Sequence, residues 1–105
     1  MAAISREVVE GTQLQGTGEV IAWRVTSTPW ASTPVVSSVT AYDVTNDERI
    51  DVTSTVLSGA STVTDDVITL PSLSSLTAEH LYRIEVIFTS GGNTYEPYFF
   101  VLAEE

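Results

Sequence analysis

The stretch Leu76-Thr-Ala-Glu-His-Leu-Tyr82-Arg-Ile84-Glu-Val86-Ile-Phe88-Thr89 decides how this chain is read. From residue 81 onward, Tyr82, Ile84, Val86 and Phe88 alternate with Leu81, Arg83, Glu85 and Ile87. A period of two belongs to a strand, whose successive side chains point to opposite faces. Ser90-Gly91-Gly92-Asn93 comes next, and paired glycines supply the positive φ that a tight hairpin turn requires. Residues 94–102 then read as the returning strand, with Pro97 inside it marking an edge position or a bulge.

The rest of the chain has the same character. Val, Ile and Thr make up one-third of the residues, and β-branched side chains favour extended backbone because a helix restricts their χ1. No stretch shows a 3.6-residue period with caps. Residues 19–27 alternate as a half-buried strand that places Trp23 in the core, and the two prolines of residues 28–34 make a loop or crossover. Residues 35–44 form a strand, 43–51 a polar turn around Asn46 and Asp47, and 51–57 a short strand ended by Ser58-Gly59. Residues 61–64 and 67–70 form a hairpin across Asp65-Asp66, and 71–75 connect it onward. About seven short strands separated by turns predict an all-β chain folded as a sandwich of two antiparallel sheets. Residues 1–17 read as a flexible N-terminal arm or an edge strand, and 18–105 as a single domain.

Composition bounds what such a domain can do. The chain has 105 residues, 43% of them apolar, and 14 acidic against 4 basic side chains give a net charge of −10. One domain with a genuine core fits those figures; a disordered acidic tail, a membrane protein or a multidomain enzyme does not. The basic residues are Arg6, Arg24, Arg49 and Arg83, with no lysine. Four scattered arginines cannot neutralise a run of phosphates, so neither nucleic acid nor an anionic membrane is an expected partner. Without cysteine there are no disulfides or thiolate metal sites. Residues 1–10 hold no basic segment leading into an apolar core, so no signal peptide is expected. The longest apolar run, residues 98–103, is far short of the ~20 a membrane helix needs.

Two resemblances sharpen this. Leucine six residues before tyrosine, followed by alternating apolar residues, resembles the tyrosine corner of immunoglobulin-like and fibronectin type III domains. In that motif the ring fills the end of the sandwich and the hydroxyl bonds to backbone upstream. It implies structural roles for Leu76, Tyr82, Ile84, Val86 and Phe88. More widely, residues 36–102 are similar to small single-domain proteins of phage and prophage structural clusters, of the immunoglobulin-like head–tail or tail-fibre adaptor type. That resemblance implies a non-enzymatic structural module, partnered with other structural proteins or with itself and associated with a virion. Without it, the chain as written is expected in the cytoplasm. The alternative is an extracellular adhesion or carbohydrate-binding module in which Trp30 and Tyr42 stack on sugars.

Few side chains invite chemistry. His80 is the one histidine, placed in a turn and read as exposed, and no Gly-x-Ser-x-Gly elbow occurs. The adjacent pairs Asp47-Glu48 and Asp65-Asp66 would point to opposite faces in a strand. Neither catalysis nor a cofactor is expected. Asp43, Asp47, Asp51, Asp65 and Asp66 are read as solvated turn carboxylates, with calcium as the competing reading, because calcium needs six to eight oxygens. The aromatic last strand is the strongest candidate for partner binding. One of its faces must be core, and alternation alone leaves open which; Tyr95, Tyr98 and Phe100, with Trp30 as a second anchor, are the candidates, either as a protein contact or covered by the N-terminal arm.

Overall fold

The computed structural model describes residues 12–26 and 34–105. The strand expected from residue 81 onward lies at its centre: β9 (Leu81–Ser90) turns Tyr82, Ile84, Val86 and Phe88 inward, each at most 2% exposed. The strand β3 (Val35–Asp43) lies antiparallel to β9 on one side, with a bulge between Val36 and Ser38. On the other side lies β11 (Tyr98–Glu104). Gly91 and Gly92, at φ 58° and 83°, turn the chain into β10 (Asn93–Tyr95), which also pairs with β9.

Strands β10 and β11 are one line interrupted at Glu96–Pro97. Tyr95 opposes Phe88 and Tyr98 opposes Glu85, so the register runs unbroken past the proline and no bulge forms. Pro97 accepts a bond from the Val86 N–H at 3.0 Å but has no N–H to return. The gap is that one missing donor.

The sheet is completed by β4 (Ile50–Asp51) beside β3 and β1 (Gln13–Gly16) beside β11. The β1 pairing is parallel, Gln13 to Val101 through Gly16 to Glu104, so this six-stranded sheet is mixed. A second sheet holds β2 (Arg24–Thr26), β7 (Val67–Thr69) and β6 (Thr62–Thr64), the last two joined across the expected Asp65–Asp66 turn. A third pairs β5 (Leu57–Ser58) with β8 (Ser72–Leu73). Val25, Ile68 and Leu73 from the small sheets meet Ala41, Ile84, Phe88 and Val101 from the large one in a single buried cluster. The described residues are mostly β, with one short α-helical turn and one 3₁₀ turn at Thr45–Asp47.

Three expectations change. The described residues form three sheets rather than two, and the largest is not purely antiparallel. Of the arm or edge strand expected over residues 1–17, residues 13–16 take the second form, an edge strand in which Gln15 is fully buried, and residues 1–11 lie outside the described residues. The strand expected over residues 19–27 shrinks to β2 plus an isolated bridge from Ile21 to Leu73, although its alternation puts Val25 inside and leaves Trp23 half-buried. Residues 51–57 are not one strand. The side chain of Asp51 accepts bonds from the Thr53 amide at 3.0 Å and hydroxyl at 2.7 Å, and the chain winds into α1 (Thr53–Val56). A short carboxylate that bonds to backbone two residues on turns the chain away from extension.

Candidate functional site

The alternation that buries Phe99, Val101 and Ala103 turns Tyr98, Phe100 and Leu102 outward. Register then decides their neighbours. Tyr98 opposes Glu85 and Phe100 opposes Arg83 on β9, while Arg83 opposes Tyr42 on β3. All these side chains therefore share the outer face of the six-stranded sheet.

They form a connected patch. Phe100 and Tyr98 meet edge to face, with ring centroids 5.6 Å apart at 78°. The Arg83 guanidinium lies 4.0 Å above the Tyr98 ring and that of Arg49 lies 4.4 Å above Tyr42. Between them sits Glu85, 8% exposed although it faces outward. Its Oε2 accepts a bond from Arg49 at 3.2 Å. The buried Nε of Arg83 approaches the same oxygen to 2.8 Å at an angle too poor for a hydrogen bond, so that contact is one of charge. A nearly buried carboxylate needs compensating charge, and the two arginines supply it while their planes cover aromatic rings. The result is a preordered surface of rings and guanidinium groups, with Arg49 remaining 59% exposed.

The other sequence candidates fall in different places. Tyr95 is half-buried and stacks on Phe88 at 5.3 Å, so it serves the core more than the outer face. Trp30 lies outside the described residues. Leu76 is buried at 6%, and the Tyr82 hydroxyl accepts a bond from the Thr77 N–H at 2.9 Å, five residues upstream. Trp23 packs edge-on to Phe99 at 6.3 Å. Among the described residues no three acidic or histidine side chains come together in a group that could hold a metal. Asp43 and Asp51 instead organise local turns, and Asp47 and Asp65 stand at positive φ in theirs.

Two features were missed. The side chain of His80 is only 38% exposed, and its Nδ1 lies 2.6 Å from Asp43 Oδ2, tying the start of β9 to the end of β3. Burial pushes the Asp43 carboxyl up, but bonds from the Thr45 hydroxyl, His80 and the Thr45 amide, with the charge of His80, outweigh it and hold the group below its ordinary value. The second is the Arg49–Glu85–Arg83 group. Arg83-x-Glu85 on one strand face was a legible part of it, but Arg49 arrives from a turn 36 residues away from Glu85.

No family model matches the chain, and a search of the curated proteins found no significant match.

Proposed function

We propose that this chain is a non-enzymatic protein-interaction module, an immunoglobulin-like sandwich of the phage or prophage structural type, that docks through the outer face of its six-stranded sheet. The observation that carries the reading is the patch of Tyr98, Phe100, Arg83, Arg49 and Tyr42. Aromatic rings and arginine are the residue types that dominate binding energy at protein interfaces, and here they are held in place before any partner arrives, which lowers the ordering cost of association. The Leu76–Tyr82 corner, with its hydroxyl bond to Thr77, supports the immunoglobulin-like part of the reading. A sugar-binding role would need Tyr42 as a stacking platform, and Arg49 already occupies one face of that ring.

Self-association through this face is tested by size-exclusion chromatography with light scattering, over a concentration series at low and high salt. At 1 M salt the Debye length falls to ~3 Å, which suppresses repulsion between copies of charge −10. A discrete oligomer that grows with concentration, and that Phe100→Asp dissolves while leaving the melting temperature within a few degrees, is the expected result. A monomer under every condition removes self-association and leaves heterologous structural proteins as the partners. Oligomers unchanged in Phe100→Asp and in Arg49→Ala overturn the assignment to this face.

A further inference from the structure

On the opposite side of β3 from β9, the sheet ends in a groove of about 640 Å³, within the usual range for ligand sites. Val39, Leu57, Ala60 and Pro71 give it apolar walls, and Thr53 and Ser61 contribute hydroxyls. The backbone of Val39 faces this groove. Val39 opposes Val86 on β9, and the Val86 N–H is already committed to the carbonyl of Pro97, just ahead of β11. In an antiparallel ladder such a residue pair exchanges no bonds, so the N–H and C=O of Val39 point away from β9. Among the described residues neither group has a partner.

The next outward-facing position, Ala41, shows what a partner would do. There the Ala41 N–H donates to the Thr53 hydroxyl at 3.0 Å and the Ala41 C=O accepts the Val52 N–H at 2.9 Å. The segment around α1 thus completes β3 for one residue pair and then diverges, leaving Val39 open where the groove begins. The chemistry of the walls limits the occupant. Among the described residues lining the groove, Asp51 alone carries a charged side chain, and its Oδ1 accepts from the Thr53 amide and hydroxyl. Residues 34–40, the stretch of β3 and its approach ahead of that closed pair, carry no charge in a chain of net charge −10. An acidic segment would be repelled by the molecule as a whole, and a basic one would find along the described walls the single carboxylate of Asp51, one oxygen of which is already bonded to Thr53.

We propose that this groove accepts an extended, uncharged segment of a partner protein as an added strand against β3, bonded to the backbone of Val39 and packed on Leu57, Ala60 and Pro71. Strand addition takes its affinity from main-chain bonds and its selectivity from side-chain pockets, and an uncharged β-branched edge is the kind that invites it. The site is separate from the outer face, so Phe100→Asp leaves it intact.

The test follows the Val39 amide in ¹⁵N-labelled full-length protein. The probe is a capped octapeptide copying the uncharged sequence of residues 35–42, compared with the same peptide N-methylated at alternate residues. In the free protein the Val39 amide should exchange quickly and that of Val86 slowly. The unmodified peptide at ten times its Kd should slow Val39 exchange about tenfold. The N-methylated peptide should have no effect, and Ala60→Arg, which fills the groove from an exposed position, should abolish the response while Phe100→Asp keeps it. Slow Val39 exchange in the free dilute protein, or no response to millimolar peptide, overturns the proposal. Protection that appears on concentrating the protein alone assigns the groove to a second copy and overturns the partner assignment.

Discussion

Gln15 shows how much one polar side chain can hold. It is fully buried on β1, its Nε2 donates to the Leu73 carbonyl at 2.6 Å and the Glu19 carbonyl at 3.1 Å, and its Oε1 accepts from the Trp23 indole at 2.8 Å. A buried amide is tolerated only when bonded, and these bonds join the edge of the large sheet to the layer carrying Trp23 and Leu73. Gln15→Met keeps the length and strands three partners. It should cost about 2–4 kcal/mol in urea unfolding, with an unchanged m-value. Tyr82→Phe is the smaller counterpart: it leaves the Thr77 N–H without its partner and should cost about 1 kcal/mol by the same measurement. The two residues differ in legibility. Tyr82 and the leucine six residues before it form a local pattern that can be read along the chain. The partners of Gln15 include Leu73, which is 58 residues away, and no spacing within 13–16 announces it.

At the scale of elements, the long strands and the short hairpin at residues 62–69 were legible, and the two-residue strands flanking α1 were not. β9 came through with Tyr82, Ile84, Val86 and Phe88 in the structural roles expected of them and β3 as a strand, because a half-buried strand writes its burial into every second residue. The Gly91–Gly92 and Asp65–Asp66 turns were legible for the same local reason, since each needs backbone at positive φ. Residues 51–57 misled: Val52, Thr53, Thr55 and Val56 have the composition of a strand, yet side-chain bonds to backbone overrode propensity. Thr53 is the pivot, because its hydroxyl accepts from the Ala41 N–H and donates to Asp51. Thr53→Val preserves shape and β-branching but leaves the Ala41 N–H unpaired. A loss of about 1–2 kcal/mol in thermal or urea unfolding is expected, together with faster amide exchange at Ala41. Of the candidate surface, the aromatic strand was visible in the sequence, but which of its rings face outward depended on register against β9.

Across the whole molecule, charge opposes compaction and local bonding offsets it. Repulsion within a chain of net charge −10 should ease with salt or with mild acidification. Asp43 and Asp51 act in the other direction. Thr53 holds Asp51 below its ordinary value through its hydroxyl and its amide, and Asp43 is held low by Thr45 and His80 against the effect of burial. A carboxyl whose folded value is depressed takes up protons more readily when unfolded. Its stabilising contribution is therefore complete above about pH 4 and is lost as pH falls through the folded value. Urea midpoints followed by tryptophan fluorescence should thus hold or rise from pH 7 toward 4.5 and fall below 4, and Asp43→Asn should flatten that acid limb. The parallel pairing of β1 with β11 has a mechanical consequence as well. The first strand of the described fold and the last lie side by side and run the same way, Gln13 beside Val101 and Gly16 beside Glu104. A tension entering ahead of Gln13 and leaving beyond Glu104 slides the two strands lengthwise, so their rungs carry the load together. A pull at the Gly91–Gly92 tip would instead peel the hairpin open one rung at a time. Stretched along the chain, the domain resists as a shear joint, a property that suits a component transmitting force between neighbours.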